Sequence, residues 1–125
     1  MASSAKVNPS GGSVNWAISI SHLKVAVYRA LLFDTSNNCI EQWNNQRTDD
    51  SVPDTFALKT KPKDLPGCVL HWEAIVMDPS DTGGPYVCTV AIIQDGKILC
   101  QDAVSSSIDQ GSGQMDFIAD QVTFA

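Results

Sequence analysis

The chain has 125 residues, 43% of them hydrophobic, with 14 acidic against 8 basic side chains and a net charge of −6. That length buries roughly two thirds of the unfolded surface in one domain, without help from a metal or a disulfide. With only Arg29 and Arg47 as guanidinium groups, the chain lacks the basic patch that a nucleic-acid partner needs, and the same repulsion disfavours an anionic membrane surface.

Residues 1–12 are small and polar and read as a flexible leader, followed by a single domain over 13–125. The leader has no apolar core for a signal peptide, and no apolar run approaches the ~20 residues of a spanning helix, so a cytoplasmic location is expected. Val14, Trp16, Ile18 and Ile20 alternate with Asn15 and Ser19, the signature of a half-buried strand over 14–20. After a turn at Ser21-His22, residues 23–34 are apolar on both faces. Ala26, Ala30, Leu31 and Leu32 would suit a helix, but Val25, Val27, Tyr28 and Phe33 favour a central strand.

Asp34 to Asn38 is a cluster of turn formers, and a short strand follows over 39–43. The segment 44–53 is the most polar in the chain and reads as an exposed loop. A short strand over 55–59 and a proline-bounded connection over 61–67 lead to a long strand over 68–77, with Leu70, Trp72, Ala74 and Val76 on one face. The turn formers of 78–85 close it.

The strongest local signal comes next. Asp95-Gly96 lies between the β-branched run 86–93 and the run beginning at Ile98, which predicts a hairpin. Both of its strands are apolar on both faces, so the hairpin is expected inside a sheet and not at an edge. The return strand runs to Val104 or beyond, and a last strand covers 115–124.

About eight strands at this spacing, with no helix to cover them, predict an all-β, two-sheet antiparallel sandwich of immunoglobulin-like or jelly-roll topology. Twelve of the acidic residues are aspartate and two are glutamate. Aspartate favours turns and caps, which agrees with many loops and few helices.

The four cysteines contain no C-x-x-C pair, so neither a zinc knuckle nor a thioredoxin-like motif is indicated. A two-residue hairpin loop sets Cys88 against Ala103 and Cys100 against Ala91; a three-residue loop sets them against Val104 and Ile92. Neither register joins the two sulfurs, which lie more than ~10 Å apart along the strands. Reduced, mostly packed thiols are expected.

The inventory for catalysis is thin. His71 and Glu73 lie two apart on one strand face, the spacing of an acid–base pair or of an ordinary polar surface patch. No G-x-S-x-G elbow occurs, and Gly111-Ser112-Gly113 reads as a turn. Two acidic loops, Asp49-Asp50 with Asp54 and Asp78 with Ser80 and Asp81, have oxygens that suit calcium, but their spacing fits no EF-hand and solvated turns explain them. No cofactor and no metal is expected.

Around Trp43 stand Asn44, Asn45 and Arg47, in a stretch rich in amides. An exposed indole ringed by amides suits a sugar ring or a partner's side chain. Strands with apolar outer faces also suit an oligomer. The sequence therefore predicts a non-enzymatic protein that binds a protein partner or its own copies through its end loops, with Trp43, Asn44, Asn45 and Arg47 as contacts. A lectin-like carbohydrate module on those residues is the alternative, and a small hydrolase using His71 and Glu73 the third reading.

Overall fold

A computed structural model describes residues 3–22, 24–47 and 52–125, with Arg47 described by its backbone alone. Among the described residues nine strands are formed: β1 (Ser3–Ala5), β2 (Val14–Ile20), β3 (Val25–Phe33), β4 (Cys39–Arg47), β5 (Asp54–Ala57), β6 (Val69–Met77), β7 (Gly84–Gln94), β8 (Lys97–Ile108) and β9 (Met115–Phe124). They build two packed sheets, one of five strands in the order β1-β9-β6-β3-β4 and one of four in the order β5-β2-β7-β8. The fold is the expected β-sandwich. Only β3–β4 and β7–β8 are sequential neighbours within a sheet; every other connection crosses between layers. β2 thus shares a sheet with neither β1 nor β3, whereas an immunoglobulin sandwich pairs its first two strands. No helix among the described residues is long and apolar enough to cross a membrane.

Alternation sets the core. Val14, Trp16, Ile18 and Ile20 of β2 and Leu70, Trp72, Ala74 and Val76 of β6 are all buried in one cluster between the two sheets. Trp16 stacks on Phe56 with ring centroids 5.0 Å apart and meets Tyr28 and Trp43 edge-on at 6.1 and 5.7 Å. This cluster fills the flank between edge strands β4 and β5. At the opposite flank β8 packs against β9 and β1.

The hairpin shows why the sequence supported two registers. Asp95 and Gly96 both take positive φ, 52° and 73°, the turn whose twist matches the strands it joins. Gln94 pairs with Lys97 and Ile93 with Ile98, the two-residue register; a bulge at Leu99 then shifts the rest, so that Ile92 meets Cys100 and Cys88 meets Val104. All four cysteines are free thiols, and burial pushes the Cys68 and Cys100 thiols above their ordinary range.

Three expectations need correction. The hairpin does not lie wholly inside a sheet, because β8 is the edge of the four-stranded sheet; its apolar run is confined to the turn, and Gln101, Ala103, Ser105 and Ser107 then alternate outward. The leader is not free from residue 3 onward. β1 pairs in parallel with β9, Ala5 and Val7 are buried, and the Gln94 side chain bonds the backbone of Asn8 and Gly12. Finally, the segment expected as a loop from residue 44 continues β4 as far as Arg47, because Asn44, Asn45 and Gln46 pair with Arg29, Tyr28 and Val27 of β3.

Three side chains tie one sheet to the other through carboxylates. Tyr28 donates to Asp54 (2.5 Å), Tyr86 to Asp116 (2.6 Å) and the Trp72 indole N–H to Asp102 (3.1 Å). Some of the abundant aspartate therefore serves the interior and not the turns. Burial, reinforced by the bond to Asp116, pushes the Tyr86 hydroxyl far above its usual range, so it remains a donor at neutral pH. Tyr86→Phe removes that donor and leaves Asp116 with the Ser106 hydroxyl. The expected loss is about 1.5–3 kcal/mol, the range for bonds to charged groups. It should appear as a lower urea midpoint at unchanged slope; an unchanged midpoint would mean the tie is idle.

Candidate functional site

The outer face of the five-stranded sheet follows from the same alternation. Once Ala26, Tyr28, Ala30 and Leu32 point inward, β3 presents Val25, Val27, Arg29, Leu31 and Phe33 outward. β6 likewise presents Val69, His71, Glu73, Ile75 and Met77, and β9 presents Met115, Phe117, Ala119, Gln121 and Thr123. Register assembles these into rows. Val27 stands beside Ile75 and Ile75 beside Phe117, while Val25, Met77 and Met115 form the row at the end of the face. Phe117 is 61% exposed and Met115 59%, large values for such side chains. Single exposed apolar residues need no explanation; a contiguous patch of them does.

The next row is polar and self-neutralising. Arg29 Nε hydrogen-bonds the Glu73 carboxylate, and His71 Nε2 lies 3.5 Å from the other Glu73 oxygen. Between this strip and the apolar row lies a hollow of about 140 Å³, lined by Val27, Arg29, Asn44, Glu73, Ile75 and Phe117. The outer face of the four-stranded sheet differs. Thr55, Asn15, Ala17, Ser19, Thr89, Gln101 and Ala103 make most of it small and uncharged, with Ile93 and exposed Ile98 at the hairpin end.

The residues expected as contacts do not converge. Because β4 continues as a strand, Trp43 and Asn45 take the inner side and Asn44 the outer, beside Arg29. Trp43 is half-buried with its ring edge-on to Trp16, so it completes the aromatic cluster instead of standing as an open platform. The Arg47 side chain lies outside the described residues. Trp43 still borders a cleft of about 680 Å³ between β4 and β5, with Cys39, Ile40, Gln42, Ala57 and Lys59. Glu41, on the same cleft, is engaged by the Lys59 and Thr60 backbone N–H groups and the Thr60 hydroxyl.

His71 and Glu73 do come together, as their spacing implied, but Arg29 already engages the Glu73 carboxylate. In the acidic loops, Asp49 and Asp50 lie outside the described residues. The Asp78 carboxylate is occupied by Ser80, Thr82 and the Gly83 N–H, with buried Lys24 at 3.7 Å. The Ser80 hydroxyl leads those contacts in holding its pKa down to about 2. Among the described residues no group of three or more potential metal ligands occurs.

Sequence reasoning missed Phe117 and Met115. Their strand is inverted in polarity: Asp116 and Asp120 face inward while Met115 and Phe117 face solvent. The available signal was the phase of Ile118, Val122 and Phe124, which assigns the odd-numbered residues to the outside.

No protein-family model, curated protein or solved structure matches the chain.

Proposed function

We propose that this chain is a non-enzymatic binding protein that associates with its own copies across the outer face of its five-stranded sheet. The observation that carries the reading is the exposed row Val27–Ile75–Phe117 beside the Arg29–Glu73 pair. Depletion of charge at the centre of a patch, with aromatic side chains, methionine and arginine enriched, is the compositional mark of a protein interface. Charge supports the identity of the partner. Copies carrying −6 repel one another in general, but this face bears one arginine and one glutamate already neutralising each other.

Four nine- or ten-residue strands spaced about 4.8 Å apart span roughly 30 by 19 Å, or about 600 Å². Two such faces together approach the roughly 1,200 Å² lower bound of stable interfaces.

Light scattering across a dilution series tests the reading. The mass should climb from 13.4 kDa as concentration rises, and added salt should not reverse it, since screening does not weaken apolar burial. A mass fixed at 13.4 kDa at every concentration would rule the reading out.

A further inference from the structure

The hollow and the exposed ring lie side by side on the same face. Phe117 projects from β9, and the 140 Å³ hollow it borders is bounded on its other sides by Val27 and Ile75, with Arg29, Asn44 and Glu73 along the polar margin. A cavity of about 150 Å³ lined by apolar side chains accepts benzene, so this hollow has the capacity for one phenyl ring. We infer that self-association is two-fold, each copy seating its Phe117 ring in the hollow of the other, so that assembly closes at the dimer. The inference rests on the self-association proposed above and adds its symmetry, its anchor and its stopping point.

The geometry favours an isologous contact over a head-to-tail one. When knob and hollow occupy one patch, a two-fold axis satisfies both at once and leaves neither free to recruit a third copy. A head-to-tail stack would put this face against the outer face of the four-stranded sheet. That face is built mostly of small, uncharged side chains, with its larger exposed apolar residue, Ile98, set apart at the hairpin end beside Ile93. The seat also places an aromatic anchor near the middle of the patch, flanked by polar side chains that exclude water, the arrangement of an interface hot spot. The neutral Arg29–Glu73 pair is repeated on the facing copy, so no unpaired charge is buried.

Sedimentation equilibrium on the full chain and three variants tests this. Wild type should level off at twice 13.4 kDa and go no higher. Phe117→Ala, which removes the knob from a solvent-exposed position, should weaken the dimer Kd by about thirty-fold or more. Val27→Phe keeps the face apolar but fills the hollow, and should weaken association comparably; a face that is merely sticky would bind as well or better. Ser105→Lys, on the opposite sheet, should leave the dimer intact. Unfolding curves for each variant confirm that all remain folded.

If wild type associates but grows past the dimer, or if Phe117→Ala and Val27→Phe dimerise normally, the two-fold seat is wrong while self-association survives. Loss of the dimer in Ser105→Lys also overturns the seat. If wild type is a monomer throughout, both fall.

Discussion

Replacing Trp72 with phenylalanine should cost about 2–4 kcal/mol, whereas the same replacement at Trp16 should change stability by no more than about 1 kcal/mol. Both indoles are fully buried, so a count of lost apolar surface makes the two substitutions nearly equal. The difference lies in the N–H. Trp72 Nε1 donates to the Asp102 carboxylate across the sheets, and removing it leaves a buried carboxylate without that donor. Leaving one partner of a buried pair unsatisfied costs more than the bond itself contributed. Trp16 Nε1 has no hydrogen-bond partner among the described residues. Phenylalanine there abolishes a buried unsatisfied donor, which offsets the smaller ring's lost contacts with Phe56, Tyr28 and Trp43. Urea unfolding of the two variants decides the matter. Equal losses would mean that ring volume alone governs both sites.

The second large effect is one of pH. Burial raises the Asp102 carboxyl above the ordinary aspartate value, opposed by the Trp72 hydrogen bond and reinforced by the charge of Asp120 and a hydrogen bond shared with it, while the Asp120 carboxyl is lowered in turn. A carboxyl whose pKa is raised by folding binds its proton more tightly in the native state. Stability therefore falls as pH rises from the unfolded value, near 4, through the raised native one.

Asp78 and Asp34 act in the opposite sense. The hydrogen bond from the Ser80 hydroxyl holds Asp78 at about 2, and the Asn38 N–H lowers Asp34. Asp116 joins them: despite desolvation, hydrogen bonds from Ser106 and Tyr86 keep it low. Their stabilising contribution is present above about pH 4 and is lost as pH falls toward about 2. The stability profile should climb between about pH 2 and 4 and then decline on the alkaline side of that window.

Asp102→Asn retains an acceptor oxygen for the Trp72 N–H but carries no charge to desolvate. It should be more stable than wild type at neutral pH, and its profile should lack the alkaline decline. A variant less stable than wild type at pH 7 would show that the ionised carboxylate strengthens the tie by more than its burial costs.

The class of fold was readable because several strands state their phase openly. Trp16 between Val14 and Ile18, and Trp72 between Leu70 and Ala74, leave one assignment of inside and outside, and the Asp95-Gly96 turn names its own geometry. What remained hidden depended on distant partners. Ser3–Ala5 has no pattern of its own and becomes a strand because β9 offers it an edge. Asn44, Asn45 and Gln46 look like a loop in isolation, yet β3 supplies hydrogen bonds that extend β4 through them. The candidate face was the least legible part. Asp116 looks like a surface residue until Tyr86 and Ser106 arrive from the other sheet to receive its carboxylate, and only then does Phe117 have to point at solvent.

β1 also determines how the molecule bears mechanical load. It runs parallel to β9, with Ser3 beside Val122 and Ala5 beside Phe124, and Val7 and Ala125 extend the backbone pairing beyond it. Traction applied to the two ends pulls these parallel strands in opposite directions along their length. The hydrogen bonds between them are then strained together, in shear, and must fail nearly at once. Had β1 run antiparallel, the same traction would peel them apart one after another under a smaller force. A strand of three residues thus acts as a clamp, and stretched end to end the sandwich should yield first at that seam, with its two-sheet core still packed.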